Sequence, residues 1–157
     1  MTPAVNFLKQ QKIAFSLYEY QLNEEPENYG QAVADALNVS HERLFKTLLV
    51  SLNGDPKQLA VCIIPVVATL NLKAAASALG TKKIQMADPA VAEKATGYVV
   101  GGISPFGQKK RLPMLLDQSA LAFERILTSG GKRGLQIEFD PRVLLTALGA
   151  KSHPIRS

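Results

Sequence analysis

Asn53-Gly54 stands between two apolar runs in "LFKTLLVSLNGDPKQLAVCIIPV", and this stretch does most to decide the fold. Asn-Gly accepts positive φ at both centre positions of a two-residue turn, so it folds its flanks back as antiparallel strands. The middle of the chain is thereby committed to a sheet. In the first strand, alternation sets Lys46 on one face with Leu48, Val50 and Leu52, and Thr47 on the other with Ser51. A lysine heading an apolar face has two readings. It is partly desolvated and aimed into a pocket, or its stem packs while the amine snorkels to water. Taken alone, a single lysine fits the second reading better.

The remaining elements follow from local signals. Thr2-Pro3 predicts a cap and first-turn proline for a helix reaching about Lys12. Alternation in "IAFSLYEYQ" predicts a strand. "EEPENYG" reads as a loop and "QAVADALNV" as a helix. "LNLKAAASALG" predicts a helix closed by Gly80, and "KKIQM" a short strand. Asp88-Pro89 opens a helix to about Ala95. "GYVVGG" is expected as a strand, as are "RLPMLLD", "FERILTS" and "LQIEF". Asp140-Pro141 opens a last helix, and the tail from about 151 is expected to be loose. Strands cluster rather than alternate with helices. That order predicts one α+β domain over 1–157, with a mixed, strongly curved, barrel-like sheet and peripheral helices.

At 157 residues the chain fits one domain, with no repeat or linker to divide it. The single cysteine, Cys62, excludes an internal disulfide framework and a multi-cysteine zinc site, and a reducing cytoplasm is the simplest setting. The two histidines, His41 and His153, lack metal-ligand spacing. No signal peptide or membrane span is expected. Net charge is +5, with the bases gathered late in the chain, which suits either a polyanion partner or a solvated basic surface.

The stretch "VVGGISPFGQKKRLP" has the glycines of a phosphate loop, but Gln108 stands where a nucleotide-binding loop needs lysine. What survives is Gly101, Gly102 and Pro105, where glycines let backbone approach a ligand and proline fixes the exit. A plain turn is the bland alternative. Tyr20 and Tyr29 are able to line a small polar pocket, and Ser129 offers a hydroxyl beside "GGKRG". No Ser-His-Asp arrangement is visible.

In order, "LFKTLLV", "LNLKAAA", "KKIQMAD", "TGYVVGGISPFGQKKR" and "SGGKRGLQIE" resemble the YbaK/EbsC family, free-standing relatives of the editing domain of bacterial prolyl-tRNA synthetases. The resemblance covers nearly the whole chain and is nearer to the family's Cys-tRNA(Pro) deacylases than to its alanine-specific members. It implies the editing-domain fold and hydrolysis of the ester joining a wrong amino acid to the 3′ end of tRNA(Pro). It also implies no metal or cofactor, with aminoacylated tRNA(Pro) and prolyl-tRNA synthetase as partners. Lys46 matches the family's functional lysine. Gly101 and Pro105 match its Gly-x-x-x-Pro loop, with Gly102 inside it. Tyr20, Thr47 and Ser129 match pocket-lining positions, and Tyr29 sits where phenylalanine is common. Gln136 lies at a variable position and carries little weight. Lys109, Lys110, Arg111, Lys132 and Arg133 are expected to meet the tRNA end. The implied mechanism lets the substrate thiol attack its own ester carbonyl. The alternatives are a deacylase for another small residue, such as Ala-tRNA(Pro), and a non-catalytic tRNA-binding module.

Overall fold

In the computed structural model, which describes residues 1–22 and 27–157, the Asn53-Gly54 turn forms as expected. It joins β2 (Phe45–Leu52) to β3 (Asp55–Pro65), with Asn53 at φ 53° and Gly54 at φ 76°. The antiparallel register sets Lys46 opposite Ile64 and Thr47 opposite Ile63. β4 (Ile84–Met86) joins β2 antiparallel. On the other side β5 (Met114–Asp117) and β8 (Lys151–His153) add parallel strands, giving the mixed order β4-β2-β3-β5-β8.

A second, antiparallel sheet has the order β1-β7-β6, from Ser16–Glu19, Leu135–Phe139 and Ile126–Ser129. The two sheets touch through one isolated parallel bridge, Leu44 to Leu127. The α+β class therefore holds, but the barrel-like sheet does not. Both sheets are open, because one bridge does not continue the ladder from β2 into β6.

The sheets share a core. Val61 and Ile63 of β3, Ile137 and Phe139 of β7, and Phe106 all belong to it, with the Phe106 ring edge-on to Phe139. The alternate β3 residues, Ala60, Cys62 and Ile64, face a second core closed by Ala75 and Ala76 of α3 (Leu72–Ala78). Burial on both faces is why "LAVCIIP" is continuously apolar.

Among the described residues, four further α-helices accompany the sheets. Thr2 Oγ1 caps α1 (Pro3–Gln10), and the Asp88 carboxylate caps α4 (Pro89–Thr96). α2 spans Tyr29–Leu37, two residues earlier than the expected start, and α5 spans Arg142–Leu148. Residues 24–26 of the expected acidic loop lie outside the described residues.

Two expectations are corrected. "GYVVGG" is not a strand: α4 ends at Gly97, and the next backbone bonds close locally. Gly102 N–H donates to the Val99 carbonyl, and Val100 N–H to Glu93 Oε2. The tail is also tied in. β8 pairs with β5, Ile155 is fully buried, and its N–H donates to the buried carboxylate of Asp117. Ser119 holds the other Asp117 oxygen through both its N–H and its hydroxyl. The polar sequence "AKSHPIRS" hides this anchor because the partner lies 38 residues away.

Candidate active site

A cavity of about 320 Å³ opens beside the start of β2, with Tyr29, Lys46, Thr47, Gly101, Ser129 and Gln136 among its walls. Four separate elements meet there. β2 contributes adjacent residues, because at the strand end both Lys46 and Thr47 reach the space. Ser129 and Gln136 are a cross-strand pair of β6 and β7, so their side chains share a face. Tyr29 comes from the first turn of α2.

Lys46 is half-buried and forms no hydrogen bond or ion pair among the described residues. Burial lowers its pKa from the ordinary lysine value, since desolvation penalises the ammonium. Lys46 lines the cavity. Among the described residues, Thr47 Oγ1 and Gln136 Oε1 are buried without a partner, and Gln136 is only 7% exposed. Glu138, on the same face of β7 as Gln136, is instead satisfied by Arg43 at 2.7 Å and Tyr18 at 3.1 Å. Unpaired buried polar atoms are costly, so two lining one cavity indicate a ligand that pairs them. Gln136, to which the sequence gives little weight, lines the cavity. Its signal was a polar alternation, Gln136 then Glu138, inside an otherwise apolar strand.

Among the described residues no acid-base triad stands here. Ser129 Oγ accepts from Gly131 N–H at 3.1 Å, and no described histidine or carboxylate bonds to it. His41 instead pairs with Asp35 at 2.7 Å. Cys62 lies inside the second core, and burial pushes its thiol up to about 12, which makes it inert. Among the described residues, no group of three or more His, Cys, Asp or Glu is placed to hold a metal.

The glycine-rich loop is fastened from behind. The Tyr98 hydroxyl donates to the Phe106 carbonyl, and Gln108 Nε2 donates to the Ser104 carbonyl at 3.0 Å. Gln108, the residue that spoiled the phosphate-loop motif, thus closes the loop on itself. Gly101 has φ +93°, which L side chains rarely adopt, and it presents its backbone to the cavity. A Cβ on Gly102 would lie 2.9 Å from Lys132 Cα, so this glycine seats the loop against the β6–β7 turn.

Other expected residues lie apart. Tyr20 does not line the cavity but shares a 2.7 Å hydrogen bond with the Tyr29 hydroxyl, and with Lys132 and Arg133 it borders an adjoining recess. Pro105 is buried and borders a separate recess with Lys110 and Arg111. The Lys109 side chain packs over Gly97.

Residues 24–147 match the model of the aminoacyl-tRNA editing domain. The chain belongs to the aminoacyl-tRNA editing family. A relative from Enterococcus faecalis, named "Putative Cys-tRNA(Pro)/Cys-tRNA(Cys) deacylase EbsC", is 37% identical over 92% of this chain and 87% of its own. A solved structure described as a "putative trans-editing enzyme for prolyl tRNA synthetase" superposes with TM-score 0.86 at 20% identity, covering 99% of this chain and 95% of that one. A hypothetical protein of solved structure gives the same TM-score, 0.86, at 24% identity and 99% coverage of both chains. These structures share the fold.

The orphaned atoms make a prediction. Thr47→Val and Gln136→Leu remove no internal hydrogen bond through those oxygens, so thermal unfolding shifts little. If these oxygens meet the substrate, each change removes one of its partners. KM for the aminoacyl-tRNA rises roughly five- to tenfold, the worth of one hydrogen bond of about 1–1.5 kcal/mol. A large fall in Tm with unchanged KM contradicts this assignment.

Proposed function

We propose that this protein is a trans-editing hydrolase that cleaves the ester of mischarged Cys-tRNA(Pro) in the cytoplasm, where it works beside prolyl-tRNA synthetase. One observation carries the reading: the cavity combines a desolvated lysine and unpaired polar atoms with no activated nucleophile among the described residues. Such a site suits a substrate that brings its own. The name of the Enterococcus faecalis relative supports cysteine as the amino acid. A synthetase pocket that fits proline discriminates weakly against a residue of similar size, so a second site is needed to remove the error.

The chemistry balances without a protein nucleophile. The cysteine thiol loses its proton and its sulfur bonds to the carbonyl carbon. The ester C–O bond breaks, and the ribose oxygen leaves with a proton. Water then opens the cyclic thioester to free cysteine. A thiol pKa of about 8.5 leaves a useful thiolate fraction near neutrality. Lys46 and the Gly101 backbone orient the carbonyl and ribose and stabilise developing charge. Thr47, Gln136, Ser129 and Tyr29, braced by Tyr20, hold the amino acid. Lys132 and the neighbouring bases attract the tRNA end. Replacing cysteine by an isostere with methyl in place of the thiol abolishes turnover on this reading, while cleavage of that ester at the cysteine rate overturns it.

A further inference from the structure

Among the described residues that line the cavity, two carry charge, and the charges are opposite: Lys46 and Glu27. They come from different parts of the fold. Lys46 heads β2, and Glu27 stands just ahead of Tyr29, the first residue of α2. Lys46 is half-buried and Glu27 is exposed. Glu27 forms no hydrogen bond or ion pair among the described residues, as is true of Lys46. Other carboxylates are taken. Glu138 is held by Arg43 and Tyr18, Asp117 by Ser119 and the Ile155 N–H, Glu93 by the Val100 N–H, and Glu42 by Arg156. The 2.7 Å bond between the Tyr20 and Tyr29 hydroxyls ties the start of α2 to the residue after β1, which fixes the wall that Glu27 extends.

We infer that Glu27 binds the free α-ammonium of the aminoacyl group and so makes the site selective for esters whose amine is unblocked. The inference rests on the reading of this cavity as an aminoacyl-ester site. An aminoacyl group carries one positive charge, on the carbon next to the ester carbonyl. The carbonyl oxygen gains negative charge as the ester breaks. Two opposite charges on the ligand match two opposite charges on the wall. The Lys46 ammonium attracts the oxygen and repels the α-ammonium, and the Glu27 carboxylate attracts the α-ammonium. The amide of Gln136 and the hydroxyls of Thr47 and Ser129 supply dipoles but no negative charge. The pair also sets the direction of entry, because an amino acid turned end for end brings its ammonium against Lys46. An N-acylated ester, formylated or peptidyl, has lost that charge. It forfeits the attraction to Glu27 and is bound more weakly.

The test uses three inert ligands titrated by calorimetry at about pH 6.5, below the ordinary α-amino pKa of about 7.7. They are 3′-cysteinylamino-3′-deoxyadenosine, its N-acetyl derivative, and the 3-mercaptopropionyl analogue, which lacks only the amine. Wild-type protein binds the first about three- to tenfold more tightly than either of the others, between the worth of an exposed ion pair and that of a charged hydrogen bond. Glu27→Gln, a surface change that leaves the fold intact, removes most of that preference and binds the amine-free analogue as wild type does. Glu27→Lys reverses the preference. Raising salt from about 0.05 to about 0.5 M shrinks the wild-type preference and leaves Glu27→Gln unmoved. An equal loss on all three ligands overturns the inference, since Glu27 then only shapes the wall. A wild-type protein that binds the N-acetyl or amine-free ligand as well as the first, or a Glu27→Gln protein that keeps the preference, overturns it too. Binding of none of the three strikes the aminoacyl-ester reading and the inference with it. Deacylation of Cys-tRNA(Pro) by wild type is a separate measurement: its failure strikes the proposed reaction, while the amine preference still decides the role of Glu27.

Discussion

Lys46→Ala reduces deacylation at least about a hundredfold, the scale seen when one charge-stabilising donor is removed from an active site. The fold survives the change. Lys46 heads β2 with no hydrogen bond or ion pair among the described residues, and burial lowers its pKa. Below that lowered pKa the fold carries a partly desolvated ammonium, and the penalty is relieved as pH rises through it. Removing the charge takes away a cost. Lys46→Met, which keeps the stem, therefore unfolds at the wild-type temperature or above while activity is lost. Thermal melts and initial rates on the same preparations check both halves. Full activity in folded Lys46→Ala protein excludes the assigned role.

Phe106→Ala has the largest expected effect on stability. The ring is fully buried, stacks on Phe7 at 5.9 Å and meets Phe139 edge-on at 4.9 Å. It pins the glycine-rich loop to α1 and β7 at once. Truncation costs about 3–5 kcal/mol. For a chain of this size that lowers Tm by roughly 6–20 °C. The loop then loses its backing, so activity falls even at temperatures where the variant is folded. A melting point within 2 °C of wild type, on the order of less than 1 kcal/mol, contradicts this packing.

Much of the frame was legible in short stretches. Asn53-Gly54 specified its hairpin because the turn chemistry is local, and Thr2 and Asp88 each cap the helix that follows them. Alternation placed the Lys46 charge on an apolar face but did not tell a pocket from snorkelling, and the structure sets the residue on the cavity wall. What stayed hidden depends on distant partners. "GYVVGG" has strand composition, but Val99 and Val100 face solvent at 59% and 47% exposure, and no strand pairs with them. The tail looked loose because Asp117 is what holds it. The partition into two open sheets depends on where β6 stops pairing beside Leu44, and no residue pattern marks that point. Gln136 reaches the cavity only because β7 is set against β2 and the glycine-rich loop.

The central claim is that the cavity removes cysteine from tRNA(Pro) by using the substrate's own thiol. The most direct measurement is a set of initial deacylation rates for Cys-, Ala- and Pro-tRNA(Pro) under identical conditions. The account predicts rapid loss of cysteine, with alanine and proline retained near their spontaneous rates. Alanine released as fast as cysteine contradicts the thiol-assisted chemistry, and salt-dependent tRNA binding with no cleavage of any ester contradicts the proposed function itself.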